Sequence, residues 1–319
     1  MDIVHYSVLK EEVCEYLKPD APGQLLVDGT MGEGGHSQMF LSRFSDLNVI
    51  GLDADREIQK IAMKRLGSFA PRVMFRHTWF NDYFKDYPED EKPDRILLDL
   101  GISVFHYERS GAGFSFSKDE KLDMRLNREE GLSAEDIVND FDEKDLADLI
   151  YEYGEERLSR KIASAICRAR KSGRIVSSLQ LAELIKSNVP PSYRYGRIHP
   201  ATRTFQAIRI AVNSELDRLD EVIKDALDVL KVGGRLGIIT FHSLEDRKVK
   251  HFFREMNKKC ICPPELPSCQ CGGVPIVNIL TRKPVVPTEK EVSENPPSRS
   301  AKFRVVEKLA DFSVRNFFL

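Results

Sequence analysis

Short apolar runs alternate with helix-period segments through the first hundred residues, and each run closes on a polar or glycine-rich loop. Residues 24–28, 49–53, 72–76 and 95–99 read as strands, with helical segments such as 37–44 and 56–69 between them. That alternation predicts a parallel α/β sheet. After Gly101 it stops, and up to about Thr202 the chain carries only helical and loop signals, such as Leu146, Leu149, Ile150 and Tyr153 at helical spacing. This stretch reads as an inserted helical domain. A long amphipathic helix is predicted next, from about Ala201 to Leu230, with Phe205, Ile208, Val212, Leu216, Leu219, Ile223, Leu227 and Leu230 on one stripe and Gly233-Gly234 ending it. Residues 236–241 give a fifth strand. Residues 276–281 and 302–306 give two more, separated by a polar, proline-containing loop long enough to be mobile. The expected organisation is a core made of residues 1–105 and 203–319, interrupted by a helical insertion at 106–202.

Composition narrows the class. The 319 residues include 41% hydrophobic and 31% charged positions, as in a globular enzyme. No run approaches the ~20 apolar residues that span a bilayer. The first ten residues lack both a basic start and an apolar stretch, so no signal peptide is expected and the cytoplasm is the default compartment. Six cysteines in that context argue against a disulfide framework. The net charge of −2 speaks against a nucleic-acid partner until its distribution is considered. Residues 119–156 hold 15 Asp and Glu against 4 Lys and Arg, whereas residues 157–209 hold 12 Lys and Arg against Glu183 alone. Such neighbouring blocks are either a phosphate-binding surface beside its counterweight or two solvated helix faces that neutralise each other. Tyr193, Tyr195 and His199, interleaved with Arg194, Arg197 and Arg203, add groups of the kind that stack on unpaired bases.

Candidate chemistry collects where the strands end. Asp28-Gly29-Thr30-Met31-Gly32-Glu33-Gly34-Gly35-His36-Ser37 stands where the first strand turns into a helix, so its backbone N–H groups can approach a ligand and the helix start favours a carboxylate. Ser37 occupies the last position of a G-x-G-x-x-G counted from Gly32, which disfavours a dinucleotide. Asp53, 25 residues after Asp28 at the tip of the second strand, is placed to accept hydrogen bonds from two ribose hydroxyls. Its neighbour Asp55 is the other reading, and Asp53 is preferred because it comes directly out of the apolar run. A nucleoside without pyrophosphate, carrying a carboxylate end, points to S-adenosylmethionine. Asp99 ends the fourth strand, where a buried acid is costly unless an amine or other partner meets it. Beyond the fifth strand, His242 and Ser243 either orient a base or, with Glu245 and Asp246, start a helix. Hydrolase elbows, zinc-protease motifs and P-loops do not occur.

These motifs resemble the ribosomal RNA small subunit methyltransferase H family, and they do so in order along nearly the whole chain. The resemblance rests on His5-Tyr6-Ser7-Val8-Leu9, the loop Asp28–Ser37, Leu98-Asp99-Leu100-Gly101-Ile102-Ser103, Gly113-Phe114-Ser115-Phe116 and Leu122-Asp123-Met124-Arg125. It continues through His199-Pro200-Ala201-Thr202-Arg203-Thr204-Phe205-Gln206-Ala207, Phe241-His242-Ser243-Leu244-Glu245-Asp246-Arg247 and Ser298-Arg299-Ser300-Ala301-Lys302. It implies a Rossmann-like class I methyltransferase core with an all-helical insertion. The implied reaction is methylation of a cytidine N4 in the decoding region of 16S rRNA within the small ribosomal subunit. Cofactor contacts then fall on Gly34, Gly35, His36, Asp53, Phe80 and Asp99. Where the family has Ser-Ser-x-Gln after the fourth strand this chain has Ser103-Val104-Phe105-His106, so His106 takes the glutamine position.

The exocyclic amine of cytosine is a weak nucleophile, and positioning contributes most of its activation. The acid-or-Asn followed by Pro-Pro-aromatic of many amino-methyltransferases is absent, and Asp99 with Ser103 is the expected substitute. Phe241, Phe105 and Arg203 are placed to stack on an unstacked base, and Arg203, Phe241, His242 and Ser243 are the expected substrate contacts. Cys260-x-Cys262 and Cys269-x-Cys271 bring four thiols close enough for zinc, but their spacing is not the usual one and the chemistry needs no metal, so no metal is assigned. Cys14 and Cys167 fall on apolar helix faces and are expected in the core. Whether two copies form a homodimer is open.

Overall fold

The computed structural model describes residues 7–101, 107, 110–128, 131–196, 198–217, 219–260, 262 and 273–314. Ser103, Phe105, His106, Arg197, Cys269 and Cys271 lie outside the described residues. The chain divides into two compact units, one of residues 1–101 and 218–319, the other of residues 102–217. The insertion therefore returns to the first unit 15 residues beyond the expected 202.

The first unit opens with α1 (Lys10–Leu17), β1 (Leu25–Asp28), α2 (Gly35–Arg43), β2 (Asn48–Asp53), α3 (Arg56–Arg65), β3 (Val73–His77), α4 (Phe80–Lys85) and β4 (Arg95–Asp99). The second unit holds α5 (Ala134–Asp140), α6 (Glu143–Gly154), α7 (Ser159–Ala169), α8 (Ser178–Asn188), α9 (Pro191–Arg194) and α10 (Thr202–Asn213). The first unit resumes with α11 (Leu219–Val229), β5 (Arg235–Thr240), α12 (Ser243–Asn257), β6 (Val277–Ile279), α13 (Glu289–Glu294) and β7 (Lys302–Lys308).

Seven strands form one sheet in the order β3-β2-β1-β4-β5-β7-β6. The first five are parallel, and β7 runs antiparallel to both β5 and β6. Successive side chains of a strand point to opposite faces, and here both faces are apolar. Leu26, Val49, Leu97 and Ile239 pack with α1 and α2 in one core, while Val27, Ile50, Ile96, Leu98 and Ile238 pack with α11 and α12 in another. Double-sided burial explains why the strands read as continuous apolar runs rather than as alternating ones. The connections leave β1 toward β2 on one side and toward β4 on the other, which opens a crevice at the carboxyl ends of those strands. Register places Asp28 beside Leu97 and Gly51, so Asp28, Asp53 and Asp99 finish their strands along one edge.

Two expectations fail. The predicted helix over 201–230 is two helices belonging to different units. Ser214 adopts a left-handed conformation (φ 48°), and Glu215 N–H donates back to the Ile210 carbonyl at 3.1 Å, the bonding of a Schellman terminus. Phe205 and Ile208 then enter the core of the second unit, while Leu219, Ile223, Leu227 and Leu230 enter a core of the first. The segment before β7, expected to be mobile, is structured. It forms α13 and a 3-10 turn (Pro296–Ser300), and the Glu291 carboxylate accepts the Leu9 N–H at 2.7 Å.

The second unit is helical around a single core that includes Leu146, Ile150, Ile162, Ile166, Leu181 and Phe205. Cys167 is buried in that core, and Cys14 is buried in the first unit, as expected of both.

Candidate active site

The glycine loop after β1 is stitched to the strands on either side. Gly29 N–H donates to the Leu97 carbonyl at 2.9 Å, and Met31 N–H to the Leu52 carbonyl at 2.8 Å. Thr30 Oγ1 accepts the Asp99 N–H at 2.6 Å, which fixes the end of β4 against the loop. At Gly34, the N-cap of α2, φ is 78°, and a Cβ there would crowd Leu66 at 3.1 Å. No side chain caps α2. Its first N–H groups are therefore donors available to an outside acceptor, with the positive end of the helix behind them.

His36 sits in that first turn, 6% exposed, and neither ring nitrogen has a hydrogen-bond partner. Its Nε2 stands 3.7 Å from Asp99 Oδ2, too far for a hydrogen bond but close enough for attraction. Asp99 is held by its own backbone and by Gly101 N–H, which donates to Oδ1 at 3.3 Å. Gly101 has no room for a side chain, because a Cβ would lie 2.5 Å from the Phe241 ring. The aromatic residue after β5 thus lies against the turn that follows Asp99.

Asp28, at the end of β1, completes the cluster. It is 1% exposed, and Oδ2 accepts the Ser37 hydroxyl at 2.6 Å while buried Oδ1 has no partner. Burial, reinforced by the negative charge of Asp99, pushes its carboxyl above the ordinary range, against the hydrogen bond from Ser37 and the nearby His36. The signal was available: Asp28, like Asp53 and Asp99, ends a buried apolar run.

Asp53 and Asp55 hold different backbone groups. Asp55 caps α3, accepting Glu57 N–H at 2.8 Å and Ile58 N–H at 3.3 Å. Asp53 accepts Gly32 N–H on one carboxylate oxygen and Asp55 N–H on the other, both at 2.8 Å. These two bonds pin the glycine loop and the turn after β2 to the Asp53 carboxylate. Phe80 is the first residue of α4, directly after β3.

Beyond β5 the helix-start reading prevails. His242 is the N-cap of α12, its Nδ1 accepting Glu245 N–H at 3.4 Å, and Glu245 Oε2 accepts the N–H groups of Phe241 (2.9 Å) and His242 (3.3 Å). Ser243 is the first helical residue and is exposed. Glu245, 3% exposed, completes a capping box with His242, as its place at the helix start suggests.

In the second unit, Arg203 stands in the first turn of α10, its guanidinium donating to the Glu155 carbonyl at 3.4 Å. The expected stacking groups divide. Tyr193 donates its hydroxyl to buried Glu156, and burial followed by that acid raises its pKa to about 12. His199 stacks on Phe116 with centroids 4.5 Å apart. Both are occupied within the fold, and Tyr195, 81% exposed, is the one of the three open to a base.

The geometry thus offers uncapped helix N–H groups, an unpartnered buried imidazole and three strand-end carboxylates around one crevice of a doubly wound sheet. A model of the MraW methylase family matches residues 2–309. The chain belongs to this family. The methylase is 57% identical over 310 residues to a Ribosomal RNA small subunit methyltransferase H from Treponema denticola, covering 97% of this chain and 98% of that protein. It is 46% identical over 308 residues to the protein of the same name from Syntrophotalea carbinolica, covering 96% of this chain and 98% of that one. Among the described residues, no helix of the methylase is long and apolar enough to cross a membrane.

Proposed function

We propose that this chain transfers a methyl group from S-adenosylmethionine to the exocyclic N4 of a cytidine in the decoding region (P site) of 16S rRNA, acting in the cytoplasm on the small ribosomal subunit. The observation that carries the reading is the cluster of His36, Asp28 and Asp99 at the β1–β4 crevice, where three buried polar atoms (both His36 ring nitrogens and Asp28 Oδ1) have no protein partner. Unsatisfied buried groups are rare in native folds, and three of them gathered at the carboxyl ends of parallel strands suit a polar ligand there. The donor and acceptor set fits an amino-acid end joined to a ribose. Gly34, Gly35 and His36 would hold the carboxylate end, Asp53 the ribose hydroxyls, Phe80 the purine side, and Asp99 the amine. When bound, S-adenosylmethionine supplies an electrophilic methyl on a sulfonium.

The remaining work is done by the chain. Thr30 and Gly101 hold Asp99 so that its carboxylate can accept an N–H of the cytosine amine, which turns the nitrogen lone pair away from the ring and toward the methyl. Ser103 is assigned the second contact to that amine. The proton passes to water after transfer. Phe241, packed on Gly101, offers a face for the unstacked base, with Arg203, His242 and Ser243 as further substrate contacts. His106 is assigned the cofactor contact of the family glutamine.

The test is methyl transfer from labelled S-adenosylmethionine to small subunits purified from cells that lack this protein, with bare 16S rRNA in parallel and nucleoside analysis of the product. N4-methylcytidine on the subunits is the expected product. Cofactor binding without transfer to either RNA would refute the substrate assignment and leave the cofactor site standing.

A further inference from the structure

The second unit sorts its own basic block into two populations. Arg174 pairs with Asp140 at 2.9 Å and Glu135 at 3.4 Å, Arg209 with Glu215 at 2.9 Å, and Lys186 with Glu183 at 3.3 Å. Arg170 donates to the Val138 carbonyl, Arg194 to those of Ser187 and Val189, and Arg203 to that of Glu155. These six cations stabilise the unit itself. Arg174 alone among them reaches into the acidic block 119–156 with its charge, so mutual neutralisation does not explain the rest.

Arg157, Arg160, Lys161, Arg168 and Lys171 behave differently. All five are exposed, and none lies within 4.0 Å of a carboxylate among the described residues. Arg168 donates only to the Ser164 hydroxyl on its own helix, at 2.9 Å. Arg160, Lys161 and Arg168, separated by one, seven and eight residues, lie on one side of α7 across from the buried Ile162 and Ile166, and Arg157 and Lys171 stand in its flanking turns. The distance from Arg160 to Arg168 along the axis is about 12 Å, at ~1.5 Å per residue. Arg160 and Lys161 occupy the first turn of α7, and the Glu156 carboxylate accepts the Leu158 N–H at 2.7 Å just before it. Exposed cations along one side of a helix, without carboxylate partners among the described residues, are suited to a line of negative charge.

We infer that this stripe seats on the sugar–phosphate backbone of RNA, positioning the substrate without reading its sequence. The inference rests on the proposed rRNA substrate and assigns the part of the chain that holds it. The stripe has the sign to meet phosphates and to repel a basic protein surface, and it carries no aromatic or amide side chain suited to base edges.

The decisive comparison is between the full-length wild type and an R160Q/K161Q/R168Q variant, binding bare 16S rRNA and small subunits between 50 and 200 mM salt. Each lost phosphate contact should flatten the plot of log K against log salt by about 0.7, so the variant should lose roughly 2 from the slope on both substrates. Its melting curve and its calorimetric affinity for S-adenosylmethionine should match the wild type, and K161R/R168K should bind like the wild type. Should the triple variant melt early, the single substitutions R160Q and R168Q are each expected to lower the slope by about 0.7 with unchanged melting. An unchanged slope and affinity in folded variants would overturn the inference, while wild-type methylation of subunits would keep the rRNA reading intact. Loss confined to subunits, with bare rRNA bound normally, would also overturn it by assigning the stripe to a ribosomal protein. A wild-type chain that neither binds nor methylates subunits would remove the substrate reading and the stripe together.

Discussion

Three strands end in aspartate, and each carboxylate has a different environment. Asp53 holds two backbone N–H groups, Asp99 faces His36 from 3.7 Å, and Asp28 is buried with one oxygen unpartnered. A carboxyl whose folded pKa is raised binds protons more readily folded than unfolded. Stability then falls as pH rises above the unfolded value near 4 toward the folded one. Asp28→Asn, which keeps the shape and can still accept from Ser37, is therefore expected to gain on the wild type as pH rises from about 4 to 7, and to lose that advantage in more acidic solution. Denaturant midpoints across that range measure it, and a gap independent of pH would show that Asp28 is not held above its usual range. At Asp99 the expectation concerns rate. Asp99→Asn should lower turnover by roughly 10²-fold or more, with cofactor affinity from calorimetry reduced far less. Full turnover with normal cofactor affinity would remove Asp99 from the reaction.

The central strands β1, β2, β4 and β5 were legible because they are buried on both faces, and β4 begins and ends where its apolar run does, at Arg95 and Asp99. The helix over 201–230 was misread because its apolar stripe stays in phase across Ser214–Asp217, and periodicity carries no record of a backbone turning left-handed at one serine. Replacing that residue tests the explanation. Ser214→Gly relieves a left-handed conformation that L residues adopt at a cost of ~1–2 kcal/mol, partly offset by the flexibility of glycine when unfolded. The second unit should gain roughly 0.5–1 kcal/mol in urea unfolding, whereas a loss would mean that the serine side chain holds the terminus. The antiparallel direction of β7 was illegible for a similar reason, since an apolar run does not declare its direction. At the site, the glycine loop, Asp53 and Asp99 were readable as strand ends. The capping role of His242 and the occupation of Tyr193 and His199 depend on partners such as Glu156 and Phe116 that only the fold brings near.

At the scale of the molecule, the hydrophobic cores respect the division of the chain. One cluster draws only on residues 112–208, and the other two draw only on the flanking segments. Separate cores predict separate cooperative transitions. Scanning calorimetry should resolve two, with S-adenosylmethionine at a hundred times its Kd raising the stability of the sheet-containing unit by about 2.7 kcal/mol and leaving the helical unit unchanged. A single transition that shifts as a whole would show that the two units unfold together.

The position of β7 bears on how the protein is made. Its partner β5 is complete at Thr240, yet the bond from Thr240 Oγ1 to the Lys302 carbonyl joins residues 62 apart, and the bond between Leu9 and Glu291 joins residues 282 apart. During synthesis at ~5–20 residues per second, β5 waits several seconds with an open hydrogen-bonding edge. An open edge is a template for wrong pairing between nascent chains. The sheet closes only when the last strand emerges, so ribosomes stalled shortly before codon 302 should release a product that aggregates.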